Sequence, residues 1–402
     1  MVGISKRKQG SLTMKILSPS ATVTVNAIAT KKKMNGERVY NFAAGDPVLK
    51  NHDSIISAAI QYAEKKLSPY PPVEGIPELR NLVAEWMNTT CGTEYAKENV
   101  LVTCGGKFSL FAIVYALLQS GDEVLIPAPY WVSYPDIVKM AGGIPKVVPT
   151  SSENGWKVTP QDLLQHITKN SKILIFNNAC NPTGQLYTRQ EIHDILGMAK
   201  KFGLTVISDE VYSGLVYEEP GFISCGSFPE HKGRVLIVQS CSKNFGMTGW
   251  RVGFVLGPKE VIKTLAILQT QSTTGVSVIS QWGAVGALEN SEEVNSYVKK
   301  SMRARRDVFV NTYNSLFPIP IEQVKSALYV FIPLSSMGIY KKIDSVTFTE
   351  LLISSDNIAL VPGTAFGVDG YVRFAFSEPE EDIYQGLQAL KDAINRLVGE
   401  SS

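Results

Sequence analysis

The stretch from Asn99 to Gly257 constrains the fold more than any other part of the chain, because short apolar runs and amphipathic runs alternate along it without interruption. Val100–Thr103, Glu123–Ile126, Ile173–Phe176, Leu204–Ile207 and Val235–Val238 are nearly continuous in hydrophobicity, as strands buried on both faces are. Arg251–Gly257 is a further apolar run, and Phe108–Gln119 and Thr188–Phe202 carry helical patterns between the strands. Such alternation folds as an α/β unit with a mostly parallel central sheet flanked by helices, whose ligands sit beyond the carboxyl ends of the strands. After Gly257 the pattern turns helical: Lys259–Thr270, Val278–Leu288, and the charged Glu292–Leu316, long enough to bridge two units. Tyr329–Ile332, Ile358–Val361 and Tyr371–Phe376 then read as strands of a smaller α+β unit closed by the helix Glu381–Leu397. We therefore expect an N-terminal arm with part of the small domain over 1–50, a large α/β domain over 51–300, and a small C-terminal α+β domain over 301–402.

Several function classes are excluded by composition. At 402 residues and 44% hydrophobic content the chain can bury a substantial core in two or three units. Its formal charge of +2 comes with no basic run beyond Lys31–Lys33 and Lys6–Lys8, too little for a nucleic-acid face. No apolar segment of signal-peptide length follows Lys6 and Arg7, and the longest apolar run, Phe111–Leu118, is too short to span a bilayer. Cys91, Cys104, Cys180, Cys225 and Cys241 lie far apart and the histidines are scattered, so neither a disulfide framework nor a zinc site is expected. These features together describe a cytoplasmic protein without a metal.

The candidate chemistry lies in the loops that follow the strands. Val235–Val238 leads into Ser240-Cys-Ser-Lys-Asn-Phe-Gly-Met-Thr-Gly-Trp-Arg251, which gathers Lys243, the hydroxyls of Ser240 and Ser242, and Arg251 in one connection. An amine condenses with an aldehyde, and hydroxyls with a guanidinium fork suit phosphate, so the set matches one anionic aldehyde cofactor, pyridoxal phosphate. Alone, a structural lysine between two strands is the commoner reading. Val100–Thr103 leads into Cys104-Gly105-Gly106-Lys107 and a helix, whose bare amides form an anion site that the absent β-carbons let a phosphate approach. Leu204–Ile207 leads into Ser208-Asp209-Glu210-Val211-Tyr212. A carboxylate there can keep a pyridinium nitrogen protonated, making the ring the electron sink that carbanion chemistry on an amino acid requires, or it can simply cap a helix. Phe176 leads into Asn177–Gly184, where Asn181 can donate to a phenolic oxygen, and Pro127–Tyr134 places Trp131 where an indole can stack on a flat ring. Each feature has a structural alternative, a tight turn or a core aromatic, but five of them at successive strand ends do not coincide by chance.

With those residues in place the chain resembles a fold-type I pyridoxal phosphate enzyme of the class I/II aminotransferases, specifically the bacterial-type aspartate aminotransferases. The resemblance is carried by Pro19–Val23, Ala44-Gly-Asp-Pro47, Tyr70–Arg80, Asn181-Pro-Thr-Gly184, Ser208-Asp-Glu210, Ser240–Arg251 and Tyr371-Val-Arg-Phe374. It implies that Lys243 binds the cofactor covalently and then moves the substrate's α-proton. Asp209 is implied to pair with the ring nitrogen, and Tyr212 and Asn181 with the phenolate oxygen. Gly105, Gly106, Ser240, Ser242 and Arg251 would form the phosphate cup, with Lys107 beside it and Tyr70 reaching in from a second subunit, which implies a homodimer. Arg373 would grip the substrate α-carboxylate with help from the Gly45 amide, and the reaction would follow a ping-pong course.

Substrate choice turns on the distal group. The resemblance makes Lys107 and Thr22 ligands of a second carboxylate, favouring aspartate and glutamate; a cation is unfavourable at a helix N-terminus, which accords with its serving an anion. Relatives that transaminate prephenate tend to carry a basic residue where this chain has Ser18, which speaks against prephenate. Ala179-Cys180 before Asn181 and Val324-Lys-Ser-Ala-Leu328 depart from the family pattern near the substrate or its lid, so aromatic, prephenate or broad specificity stays open. β-Elimination or decarboxylation on the same cofactor would share Lys243 and Asp209. A cofactor-sensing regulator would need a DNA-binding module, for which the stretch before Pro19 leaves no room.

Overall fold

The computed structural model describes residues 17, 19–67, 69–219, 221–339 and 343–399. Its strands in chain order are β1 (Tyr40–Asn41), β2 (Val100–Thr103), β3 (Glu123–Pro127), β4 (Ile144–Val148), β5 (Ser171–Asn177), β6 (Thr205–Asp209), β7 (Val235–Ser240), β8 (Gly253–Leu256), β9 (Tyr329–Pro333), β10 (Ile358–Ala359), β11 (Val361–Pro362) and β12 (Tyr371–Ala375). Seven of them form one sheet in the order β2–β8–β7–β6–β5–β3–β4. Only β8 runs against its neighbours, pairing antiparallel with both β2 and β7. The other six therefore point one way and bring Thr103, Pro127, Val148, Asn177, Asp209 and Ser240 to a single edge, as the alternation of the sequence predicts.

Both faces of this sheet are covered, which is why its strands read as unbroken apolar runs. Val100, Val102, Leu174, Phe176, Val235 and Ile237 point into one core with the helices Pro77–Cys91, Arg189–Lys201 and Val278–Glu289. The intervening Leu101, Ile173, Ile175, Leu236 and Val238 point into another, beneath the helices Gly106–Leu117, Tyr134–Met140 and Lys259–Thr270. That inversion at every residue is the period of a β-strand sandwiched between two helical layers. β4 was not expected: Ile144-Pro-Lys-Val-Val148 carries a proline and a lysine and stays partly exposed, a composition that only an edge strand accepts.

The remaining strands build a three-stranded antiparallel sheet, β11–β12–β9, and a parallel pair, β1–β10. The run Ile358–Val361, expected as one strand, is divided between these two, with Ile358 and Ala359 on β1 and Val361 on β12. The helix Ser291–Leu316 joins the two ends of the molecule, because its Val294 packs in the core of the large sheet and Met302, Phe309 and Tyr313 pack in the second core. No helix among the described residues is long and apolar enough to cross a membrane.

Candidate active site

A cavity opens at the edge where the six carboxyl ends meet. It is lined by Gly106, Lys107, Trp131, Asn181, Asp209, Tyr212, Ser240, Ser242, Lys243 and Arg251 from the large sheet's loops, by Thr22 and Gly45 from the N-terminal segment, and by Arg373 from β12. Thus fourteen of the fifteen residues singled out in the sequence are at this site once Gly105, which abuts Arg251, is included with the thirteen that line it. Tyr70 is the exception: it is 89% exposed and does not line the cavity. Ser18 lies outside the described residues.

Lys243 sits on the short helix Cys241–Asn244, whose N-cap, Ser240, accepts a hydrogen bond from the Ser242 amide. Its ammonium donates to the Gly45 carbonyl. Burial, reinforced by Arg373 and Arg251 and opposed by Asp46, lowers its proton affinity to about 8. Desolvation is the largest of these causes. The Gly45 carbonyl thus meets Lys243, and Gly45, whose amide was expected at the substrate carboxylate, lines the cavity.

Asp209 ends β6 and is buried, and the Tyr134 hydroxyl donates to its Oδ2 at 2.6 Å. Burial raises its carboxyl to about 6, with Tyr134 and the Val211 amide opposing the shift. A carboxylate held so far from water is primed to accept a cation. The Tyr212 hydroxyl meets that of Tyr329 at 2.9 Å, and the guanidinium of Arg373 lies 4.4 Å from the Tyr329 ring centroid.

Arg373 is 1% exposed. It donates to the Ala43 carbonyl at 2.6 Å and to Asn181 Oδ1 at 3.3 Å, while its Nε has no partner. No carboxylate among the described residues forms an ion pair with it, so a full positive charge is buried with donors to spare. Such a charge is costly unless an anion completes it. Thr22 Oγ1, on the same cavity, is likewise buried and without a partner. The Lys107 ammonium lies over the Trp131 ring, 4.9 Å from its centroid.

The end of the site that bears Gly105 and Arg251 is shaped by close backbone approach. Gly105 has φ +85°, and a β-carbon there would fall 2.4 Å from Arg251 Nη2. Arg251 itself adopts the left-handed φ of 58°, an uncommon conformation for a residue with a side chain and one that clusters at functional sites. Its Nη1 donates to the Thr248 carbonyl at 2.9 Å. Ser240 Oγ donates to Ser242 Oγ at 2.9 Å, so both hydroxyls face one spot.

Two features escaped sequence reasoning. Tyr134 was noted only as the end of the Trp131 segment, and Tyr329 only as the start of a strand, yet both line the cavity and contact its central groups. No local signal marks them, because their partners lie far away in the chain. The segments that depart from the family pattern prove to be neighbours: Ser326 Oγ donates to the Gly184 carbonyl at 2.7 Å, and Val324 packs on Gly184. None of Ala179, Cys180, Val324, Ser326 and Leu328 lines the cavity, so these departures alter the packing behind it.

The residues fit pyridoxal phosphate by their own chemistry: a buried acid awaiting a cation at one end, serine hydroxyls, an arginine and a glycine turn at the other, and an amine of lowered proton affinity between them. Lysine, acid and arginine on this sheet define a fold-type I pyridoxal phosphate-dependent enzyme. The family description "Aminotransferase class I and II" matches residues 37–390, and the chain belongs to that family. It is 36% identical over 399 residues to a probable aspartate/prephenate aminotransferase of Thermus aquaticus, covering 98% of this chain and 100% of that one. It is 34% identical to an aspartate aminotransferase of Streptomyces avermitilis, covering 94% and 95%. The solved aspartate aminotransferase of Thermus thermophilus with maleate superposes with a TM-score of 0.89 at 34% identity, covering 98% of this chain and all of that one.

Proposed function

We propose that this aminotransferase acts on dicarboxylic substrates, moving the amino group of aspartate or glutamate to a 2-oxo acid. The observation that carries the reading is Arg373, a buried guanidinium with no anionic partner, lining a cavity that also offers Lys107 and the unpartnered Thr22 hydroxyl. Arg373 takes the α-carboxylate in a two-point grip, and Lys107 with Thr22 takes the distal one, fixing the Cα hydrogen for transfer. Lys243, whose amine is neutral for part of the time near pH 8, moves that proton. Asp209, itself held by Tyr134, would hold the ring nitrogen's charge; Tyr212 with Asn181 would hold the ring oxygen, Gly105, Gly106, Ser240, Ser242 and Arg251 the phosphate, and Trp131 the ring. Bound there, the cofactor supplies an electron sink for the carbanion at Cα. The Thermus thermophilus relative was solved with maleate, a dicarboxylate, which supports the same reading.

Prephenate is a second acceptor to weigh, because relatives from Aquifex aeolicus and both Thermus species are named for it and it too carries two carboxylates. Tyr70 is assigned to the partner's phosphate site in a homodimer, which its exposure supports. Five free cysteines support a reducing, cytoplasmic setting. The deciding experiment compares turnover of aspartate, tyrosine and alanine as amino donors by the wild type and Lys107→Ala. Aspartate should be preferred, and the variant should lose about 10- to 100-fold in kcat/KM for aspartate alone, the scale of a lost charge-assisted hydrogen bond. Equal use of all three donors by the wild type, or an unchanged preference in the variant, would overturn the assignment.

A further inference from the structure

Two of the chain's four histidines meet at one place remote from the active site. His193 lies on the helix Arg189–Lys201, and Glu230 and His231 lie in the 3-10 turn Pro229–His231 that leads toward β7. Glu230 Oε1 stands 3.9 Å from His193 Nε2 and 3.8 Å from His231 Nε2, and one ligand atom from each of the three residues lies within 4.8 Å of the others. None of the three lines the catalytic cavity. Sequence reasoning expected no metal because the histidines are scattered along the chain, but the fold brings two of them together.

We propose that His193, Glu230 and His231 bind a divalent transition-metal ion of the zinc class. Two imidazoles and a carboxylate are a donor set such ions favour, with bonds of about 2.0–2.2 Å and a tetrahedral site completed by water. Ligand atoms in that geometry stand closer together than the separations seen, so the site closes by side-chain rotation. The structure divides that work: His231 is 3% exposed and anchored by its own amide to the Phe228 carbonyl at 3.0 Å, whereas the side chains of His193 and Glu230 are 52% and 46% exposed, His193 resting 3.6 Å from Asp194 Oδ1 and with its ring 6.2 Å from that of Phe228. The site would tie the helix that follows the Asn181 turn to the segment that precedes the Lys243 strand, so its role is structural.

The test titrates the holoenzyme with Co2+ and Zn2+, following the visible cobalt bands, bound metal after dialysis and the melting temperature. The wild type should bind one equivalent and melt at a higher temperature with metal, since a ligand of the native state stabilises it by mass action. His193→Ala and Glu230→Gln should lose binding and the thermal shift while keeping transaminase turnover, and the control His166→Ala, a half-buried histidine outside the cluster, should bind metal as the wild type does. Because His193 is exposed, its replacement leaves the core intact and separates lost ligation from lost folding. No metal bound by the wild type, or undiminished binding by His193→Ala, would overturn the proposal.

Discussion

At the scale of single residues the site gathers groups held away from the charge state they prefer in water. Lys243 is lowered to about 8 and Asp209 is raised to about 6, both chiefly by burial. Each therefore weakens the cofactor-free fold at neutral pH. For Lys243 the unfolded chain holds its proton up to about 10.5 and the folded chain only to about 8, so the cost is present in full below pH 8 and disappears as pH rises toward 10.5. Asp209 acts in the opposite direction, its cost appearing as pH rises from 3.8 to about 6. Cofactor-free Lys243→Met should accordingly melt above the cofactor-free wild type at pH 7, with the gap shrinking between pH 8 and 10.5. Melting temperatures across that series would check it, and a gap independent of pH would show that the ammonium is not desolvated. The principal groups were legible because each follows a strand in a recognisable string of residues. Tyr134 and Tyr329 were not, since a tyrosine in a helix or strand signals only its bulk until the fold sets it against Asp209 or Arg373.

At the scale of elements, β8 shows how the sheet sets the proposed phosphate site. Its first residue, Gly253, pairs with both Thr103 of β2 and Ser240 of β7, wedging it under the turn that bears Gly105 and Gly106. A β-carbon on Gly253 would lie 2.5 Å from the Gly105 carbonyl carbon and 2.6 Å from the Gly106 nitrogen, backbone atoms that no rotamer change can move. Gly253→Ala should destabilise the protein by about 1–3 kcal/mol, the usual cost of overpacking, and weaken cofactor binding through displacement of the turn. Gly249→Ala, where a β-carbon meets nothing within 4 Å, is the control. Thermal melts and absorbance titration with cofactor would separate the two, and equal behaviour would refute the wedge. The central strands were legible within a residue or two because burial on both faces leaves only apolar residues, and the six helices read from the sequence match to the same precision, whereas Ala21–Met34, Asp53–Ala63, Pro77–Cys91 and Ser345–Ser355 were not read. The limits of that reading fall where composition and partner diverge: β4 is an edge strand too polar to announce itself, and Ile358–Val361 is uniformly apolar although two different sheets share it.

At the scale of the whole molecule, the segment from Ala43 to Asp46 links the two ends of the site. Ala43 accepts from Arg373, Ala44 from Ser377, Gly45 from Lys243, and Asp46 from Thr248. The groups proposed for substrate and for cofactor thus share one strap of chain. Tyr70 lies outside the cavity, in the stretch that follows the helix Asp53–Ala63, and Ile56 and Ile60 on that helix, Leu67 after it and Tyr70 itself are all exposed apolar side chains. A second subunit seated there would deliver Tyr70 to a neighbouring phosphate site. The solution mass should then be twice the 44.0 kDa of the chain, and subunit mixing would show whose tyrosine serves which site. Lys243→Ala and Tyr70→Ala homodimers should each be impaired. In a mixed dimer the Tyr70→Ala subunit keeps its own Lys243 and receives an intact Tyr70 from its partner, so one site of the two is whole. Refolding the variants together should restore activity to well above that of either parent. If mixed dimers form without any gain, Tyr70 serves its own subunit or none, and the shared site is refuted even where the dimer stands.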